Sequence, residues 1–567
     1  MITRRDFARA AAATAILAGS GGGIARAAAR QSLTQADLLR FDPVGQVTLL
    51  HFTDIHAQLM PVYFREPSVN IGVGEDIGLA PHLTGEAFLK AFGIAPESAN
   101  AYAFTASDFA ALAATYGRMG GVDRLATLVK SIRAERPTQT LLLDGGDTWQ
   151  GSYTSLRERG ADMVAVQNAL GVDAMTAHWE FTYGQDRVKE LKSKLTFPFL
   201  AGNVKDTQFG DRVFDSTKIF ERGGVRIAVI GQAFPYTPIA NPRYLMPDWT
   251  FGIEEDRVRA EVADARKAGA DVIVLLSHNG FDVDRKLAAR VPGIDVILTG
   301  HTHDAIPKSV LVGKTILTAP GSHGKFLGRL DLKIAGKQVV DHRFRLIPIF
   351  TDAIVPDPAM AALVAKLRAP YAADLGRVLG KTDSLLYRRG NFNGTFDDLI
   401  CNALLQQRDA QIALSPGFRW GSSLLPGQNI TLEDVYNQTA ITYPAAYRST
   451  MTGTTLKNIF EDVADNLFNP DPYYQQGGDM VRVGGMSYAI DVQKPIGERI
   501  SDMRTNDGTA IDPTKNYVVA GWASINEGTQ GPPVYDVVES YLKAHSVVAI
   551  PDKQAVRVRG ADPRGIS

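Results

Sequence analysis

The sequence predicts an α/β layered domain followed by a smaller α+β domain, and three observations carry that expectation. From Val47 to about Ile349, apolar runs of buried-strand length alternate with stretches of helical periodicity, a pattern that places helices against a sheet. Beyond a Pro-rich break near Pro356 the pattern becomes mixed. The chain has 567 residues, and single cores stop growing near about 250–300, so it divides.

The expected strands lie at 47–50, 140–143, 225–230, 271–276 and 295–298, with helices over 121–136 and 254–267 between them. A Gly- and Ala-rich stretch at 61–116 is longer than ordinary connections and reads as a functional lid or a surface excursion. The expected organisation is a signal peptide over 1–29, a first domain over 30–350, a linker helix over 351–376 and a second domain over 377–567. Helices are expected in the second domain near 396–407 and 456–467.

Thr3-Arg4-Arg5-Asp6-Phe7, an apolar run over 10–18 and Ala27-Ala28-Ala29 have the order of a charged segment, a short apolar segment and a cleavage site. The paired arginines match a twin-arginine export signal, so a periplasmic protein is expected. No later stretch has the roughly 18 uncharged apolar residues of a spanning helix, and no membrane association is expected. Lys plus Arg number 60 and Asp plus Glu 61, a balance that offers no electrostatic case for nucleic acid. Cys401, the single cysteine, excludes an internal disulfide and reads as a small buried hydrophobe in a helix.

Polar residues cluster where the strands end. His51-Phe52-Thr53-Asp54-Ile55-His56 follows the first, Asp144-Gly145-Gly146-Asp147 the second, Ser277-His278-Asn279 the fourth and Gly300-His301-Thr302-His303 the fifth. In open α/β sheets, ligands bind beyond the carboxyl ends of strands, so these pieces converge. Residues i and i+2 of an extended segment share a side, so Asp-x-His and His-x-His each present two groups together. Imidazole and carboxylate ligands without thiolate favour Mn, Fe, Zn or Co. The number of ligands suits two divalent ions bridged by one carboxylate, an arrangement that activates water against a tetrahedral centre. Asp147 is the expected bridge, with Asp54, His56 and His303 on one ion and His278 and His301 on the other.

These segments resemble the periplasmic 5′-nucleotidases of the calcineurin-like metallophosphoesterase superfamily. The resemblance rests on Asp54-Ile55-His56, Gly145-Gly146-Asp147-Thr148-Trp149-Gln150-Gly151-Ser152, Ala201-Gly202-Asn203-Val204, His278-Asn279-Gly280 and Gly300-His301-Thr302-His303. It continues in the second half through Gly417-Phe418-Arg419, Gly427-Gln428-Asn429-Ile430-Thr431 and Met451-Thr452-Gly453. It implies a four-layer αββα metallophosphoesterase domain, a linker helix and a smaller α+β 5′-nucleotidase C-terminal-type domain that binds substrate.

The departures point further. Where these nucleotidases carry Gly-Asn-His-Glu-Phe-Asp, this chain has Ala177-His178-Trp179-Glu180-Phe181-Thr182. His178 falls on the Asn ligand position and becomes a seventh metal-ligand candidate. Trp179 falls on the catalytic His, and indole cannot transfer that proton. The nucleoside-binding loop near the C-terminus is replaced by Asn526-Glu527-Gly528-Thr529-Gln530-Gly531-Pro532-Pro533. Together with the export signal and the insertion, this pattern resembles the SoxB thiosulfohydrolase family of bacterial sulfur oxidation. That resemblance implies a dimanganese enzyme, with Zn or Fe as alternatives. It would hydrolyse a cysteine S-thiosulfonate on the flexible C-terminal arm of the SoxYZ carrier and release sulfate. A monomer is expected; the alternative is a periplasmic 5′-nucleotidase, cyclic phosphodiesterase or nucleotide-sugar hydrolase.

Arg419 matches the nucleotidases' substrate-domain Arg, and its planar fork suits an anion; Arg482 is a second candidate for the substrate. Trp179 is expected against the substrate. Asn203 is expected to support the metal shell or meet the sulfonate, or else to be a turn residue. His51 points away from the ligands if its strand alternates and reads as a hydrogen-bonded structural residue. His323, in Gly321-Ser322-His323-Gly324, reads equally as cleft-lining or not. Tyr473, Tyr474 and Trp420 read as a grip for a peptide or as domain packing.

Overall fold

The structure, a computed structural model, describes residues 33–552 and 554–567; the expected signal peptide over 1–29 lies outside the described residues. Two sheets form the first domain. In one, strand Val47–Phe52 lies parallel to Thr140–Asp144 and antiparallel to Phe326–Ala335, with Ala174–Met175 and Gln338–Pro348 at the edges. In the other, Val225–Gln232, Val272–Ser277, Val296–Thr299 and Thr315–Thr318 run parallel, flanked by antiparallel Thr217–Arg222 and Val310–Val312.

The period-two alternation of strand side chains makes this a four-layer stack. Val47, Leu49, Leu141 and Leu143 point inward and pack between the sheets with Val229, Val274, Leu276 and Leu298. Their neighbours Leu50, Phe52 and Leu142 point outward into a core with Leu125, Val129 and Ile132 of helix Val122–Glu135. On the far side, Ile230, Ile273, Leu275 and Ile297 meet Val258 and Val262 of helix Glu255–Lys267 and Leu287 of helix Phe281–Arg290. Both faces of each central strand are covered, which is why these strands read as unbroken apolar runs.

Helix Pro358–Arg368 begins with the Asp357 carboxylate accepting the Met360 N–H at 2.9 Å, and its Met360 and Val364 join the first domain's core. In the second domain, helix Thr395–Gln407 packs on a four-stranded sheet ordered Tyr447–Thr452, Asn516–Gly521, Ile412–Gly417, Asp479–Gly484. Cys401 is buried in that helix's core, where burial pushes its thiol well up, the inert setting expected of it.

The 61–116 stretch is not a loose excursion. Its helices Gly85–Phe92, Ala99–Phe104 and Phe109–Tyr116 bury Phe88, Tyr102, Phe104 and Phe109 in the first core. Buried Lys325 ties it down, pairing with Glu66 and donating to the Phe64 and Ala103 carbonyls, both at 3.1 Å. The same stretch reaches the second domain: Tyr63 bridges Ser423, the Ile71 N–H donates to Asn391 Oδ1 at 2.7 Å, and Val69 bridges Ile566 beside the C-terminus. It brackets the two domains.

Leu49→Ala is expected to open a cavity between the sheets and cost about 2–5 kcal/mol, read as a lower urea midpoint. An unchanged midpoint would show that the layer collapses around the gap.

Candidate metal centre

The expected ligand pieces leave the strand ends and curl back over the two sheets. Five of the ligand residues lie in the left-handed region, with φ of 53° at Asp54, 50° at His56, 57° at Asp147, 74° at His301 and 59° at His303. Non-glycine residues there cost about 1–3 kcal/mol each, and such strain gathers where a site over-determines the backbone. Gly300 makes the approach possible, because a Cβ there would stand 2.6 Å from Thr53 Oγ1 and 2.9 Å from His278 Nδ1.

Two groups of potential metal-ligating atoms result, each within 4.8 Å of its own members: Asp147, His178, His278 and His301, and Asp54, His56, Asp147 and His303. Asp147 belongs to both. Its Oδ2 lies 3.0 Å from His178 Nδ1, 3.2 Å from His278 Nε2 and 3.8 Å from His56 Nε2. Asp54 Oδ1 is 3.2 Å from His303 Nε2, which itself is 3.0 Å from His56 Nε2. The His278 ring is fixed by contact of its Nδ1 with the Gly145 carbonyl at 2.6 Å, leaving Nε2 to face the site, as a second hydrogen bond commonly orients a metal-binding His.

The residues fit divalent cations. Burial holds His301 and His303 well below the usual imidazole range, which keeps them neutral, as ligands must be. Their buried nitrogens, His301 Nε2 and His303 Nδ1, find no hydrogen-bond partner among the described residues, nor does His178 Nε2. Burial opposes ionisation of Asp147, yet His178, His56 and His278 hold its carboxyl well below the usual range. Against the pull of burial, Asp54 and Asp147 hold His278 up at about 9, so positive charge is wanted between the carboxylates.

The chain matches the calcineurin-like phosphoesterase family over residues 47–305 and the 5′-nucleotidase C-terminal domain over 378–539. It is 36% identical to the sulfate thiohydrolase SoxB of Thermus thermophilus, with a TM-score of 0.88, covering 92% of this chain and 98% of that one. A 5′-nucleotidase precursor from the same organism shares the fold at a TM-score of 0.72 and 21% identity, over 91% of this chain and 100% of that one. In sequence it is 26% identical to the Bos taurus 5′-nucleotidase over 67% of this chain and 72% of the bovine one. The chain belongs to the 5′-nucleotidase family of calcineurin-like metallophosphoesterases. The buried His and Asp cluster is the metal-binding site of this family hydrolase.

In this metallophosphoesterase the second domain roofs the centre. A cavity of about 170 Å³ lies between the ligands and the loop carrying Phe418, Arg419 and Trp420. Phe418 and Trp420 stack at 4.0 Å, and Trp179 meets them edge-on at 5.4 and 5.1 Å. The main-chain N–H of Trp179 donates to Asp147 Oδ1 at 2.8 Å, so this residue's backbone is anchored on the candidate bridging carboxylate. Arg419 donates to the Gly478 carbonyl at 2.5 Å and lines the cavity, with Nε and Nη1 lacking hydrogen-bond partners among the described residues.

Two expected site residues lie elsewhere. Asn203 spends its amide on backbone, donating to the Ala233 and Gly252 carbonyls at 2.7 and 3.2 Å and accepting from the Ala233 N–H at 2.9 Å. It fastens the loop after Phe199 to the end of strand Val225–Gln232 and does not line the cavity. Arg482 is fully buried and turned inward, 3.0 Å from Asp479 Oδ2 and 3.4 Å from Asp397, with the Phe392 and Arg388 carbonyls taking its remaining donors. It supports Asp479 from behind and cannot reach a substrate in this arrangement.

His51 is buried with neither ring nitrogen hydrogen-bonded among the described residues, so the satisfied structural role expected of it is not realised; burial holds it neutral, down at about 3. His323 stacks on Phe64 at 4.0 Å behind His56, and its Nε2 accepts the Gly421 N–H at 3.1 Å, tying the roof to the metal domain. Trp420 is packed in the roof, whereas Tyr474 is exposed and the Tyr473 hydroxyl donates to Glu255 at 2.8 Å across the domains. Phe234 was not expected here, yet its ring lies 4.1 Å from both His178 and His301. It follows strand Val225–Gln232, so the strand-end rule applied there reaches it.

Arg419→Met is expected to raise KM at least tenfold with little change in thermal stability, whereas Arg482→Met is expected to lower the melting temperature by leaving Asp397 and Asp479 underpaired. Steady-state kinetics and thermal denaturation separate the two, and the reverse pattern would move the anion site to Arg482. Asp147→Asn is expected to reduce bound divalent metal in a folded chain, measured by plasma emission spectrometry; full metal content in that variant would remove Asp147 from the ligand set.

Proposed function

We propose that this hydrolase is a thiosulfohydrolase that cleaves the terminal sulfonate from a cysteine S-thiosulfonate on the C-terminal arm of a SoxYZ-type carrier. The observation that carries the proposal is a cavity without a proton donor. Outside the metal ligands, the ionisable residues lining it among those described are Arg419 and Asp479. Burial opposes ionisation of Asp479, but Arg482, Arg389 and Arg419 hold its carboxyl below the usual range, so it has no proton to give. Trp179 occupies the cavity wall beside Asp147, and indole is not an acid.

An alkoxide leaving from a phosphate ester needs such a proton, and a persulfide leaving from a sulfonate does not. In the proposed reaction a water oxygen joins the sulfonate sulfur and the bond to the sulfane sulfur breaks. The electron pair stays on the sulfane as persulfide, sulfate departs, and the two protons of the water pass to solvent. Two divalent cations held by the seven ligands would activate the water and neutralise the sulfonate charge. Arg419 would orient the sulfonate through Nη1, and the Phe418, Trp420 and Trp179 rings would exclude bulk water from the reacting sulfur.

The SoxB likeness supports the same substrate. Manganese is the proposed metal, from an all-nitrogen and oxygen ligand set that also suits Zn or Fe. A monomer exported to the periplasm by the twin-arginine route completes the proposal; among the described residues no helix is long and apolar enough to cross a membrane. The nucleotidase relatives favour a second reading, hydrolysis of nucleotides on the same scaffold.

A thiosulfonate-loaded carrier incubated with the Mn²⁺-loaded enzyme is expected to release sulfate, detected by ion chromatography, while AMP is turned over far more slowly. Rapid AMP hydrolysis without sulfate release selects the nucleotidase reading. Trp179→His is expected to raise AMP hydrolysis, on the order of 10²-fold if the new imidazole serves as general acid. No gain would detach Trp179 from leaving-group selection.

A further inference from the structure

Glu180 follows Trp179 in the 3-10 turn Trp179–Tyr183, and its side chain is fully buried. Among the described residues it forms no salt bridge with a cationic side chain. Its carboxylate instead accepts four main-chain N–H groups from two loops. Oε1 takes Thr148 at 2.6 Å and Trp149 at 3.2 Å, while Oε2 takes His178 at 2.7 Å and Asp147 at 3.2 Å. An ionised carboxylate is acceptor-only, with about four lone-pair sites, so all four are used. A glutamine of the same shape offers one oxygen and turns an NH₂ toward two N–H donors.

Burying an anion beside the Asp147 carboxylate is costly unless something specific is gained. The gain is visible in the neighbours. One loop carries Asp147, held at a left-handed φ of 57°, and the other carries His178 and Trp179. With both loops tied to one carboxylate, the Trp179 N–H occupies Asp147 Oδ1 and Oδ2 is left facing His178, His278 and His56.

We infer that Glu180 is a positioning residue for the metal site: its carboxylate clamps the Asp147 loop to the His178–Trp179 turn and thereby sets which oxygen of Asp147 is offered to the ions. This rests on the metal-binding site alone and holds for a sulfur or a phosphorus substrate, so a negative sulfate-release result leaves it standing.

The experiment uses full-length wild type and E180Q, stripped with chelator and titrated with Mn²⁺ by calorimetry. A folded E180Q is expected to bind Mn²⁺ roughly 10–100-fold more weakly, the range seen when orienting partners of metal ligands are lost. Its amides at 147–149 and 178 are expected to exchange hydrogen faster, with helix Phe281–Arg290 unchanged. Wild-type Mn²⁺ affinity in folded E180Q overturns the inference, since a merely structural residue would lower stability and leave that affinity intact. Should E180Q fail to fold, exchange in the metal-free wild type decides. Continued protection of those amides supports the clamp, and their rapid exchange without metal overturns it.

Discussion

Mutual repulsion between two buried carboxylates, Asp54 and Asp147, is the constraint around which this protein is built. Neither has an Arg or Lys partner among the described residues, and the groups facing them are imidazoles. Burial keeps His301 and His303 neutral, and His278, held up between the two carboxylates, is one positive charge against two negative ones, so divalent cations complete the balance. The left-handed backbone at five ligand positions is tolerable for the same reason: metal coordination can return what each strained turn costs. The four-layer stack serves this arrangement by bringing the ends of strands from two separate sheets to one edge.

Around that centre the protein separates charge from contact. The metal domain supplies ligands, and the second domain supplies one guanidinium and a stacked aromatic roof. Behind the roof, Asp479 is shared by Arg482, Arg389 and Arg419, which fixes the Arg419 fork while leaving donors toward the cavity. The insertion, Lys325 and the His323 contact to Gly421 hold roof and floor in register. A substrate is thus gripped by a surface already in place, which lowers the ordering cost of binding.

Most of this was readable from the chain because strands and strand ends obey simple periodic rules. Unbroken apolar runs announced strands covered on both faces, and polar residues immediately after them announced convergence. In the structure the potential ligating atoms fall into two groups that share Asp147, one with Asp54, His56 and His303 and the other with His178, His278 and His301. What failed was the direction of individual polar side chains. Arg419 lies in a segment resembling a family motif and lines the cavity, whereas Arg482, the second candidate, pairs through its strand with Ser415 and is buried in the domain interior. Asn203 sits in a segment resembling a family motif, but the nearby Ala233 backbone consumes its amide. Glu180 escaped notice because its partners are main-chain N–H groups, which leave no mark in side-chain chemistry.

Whether Asp147 joins two cations is read most directly by anomalous diffraction from crystals grown with Mn²⁺. Two peaks are expected, one within reach of His178, His278 and His301 and the other within reach of Asp54, His56 and His303, with Asp147 between them. A single peak, or none touching Asp147, would contradict that arrangement.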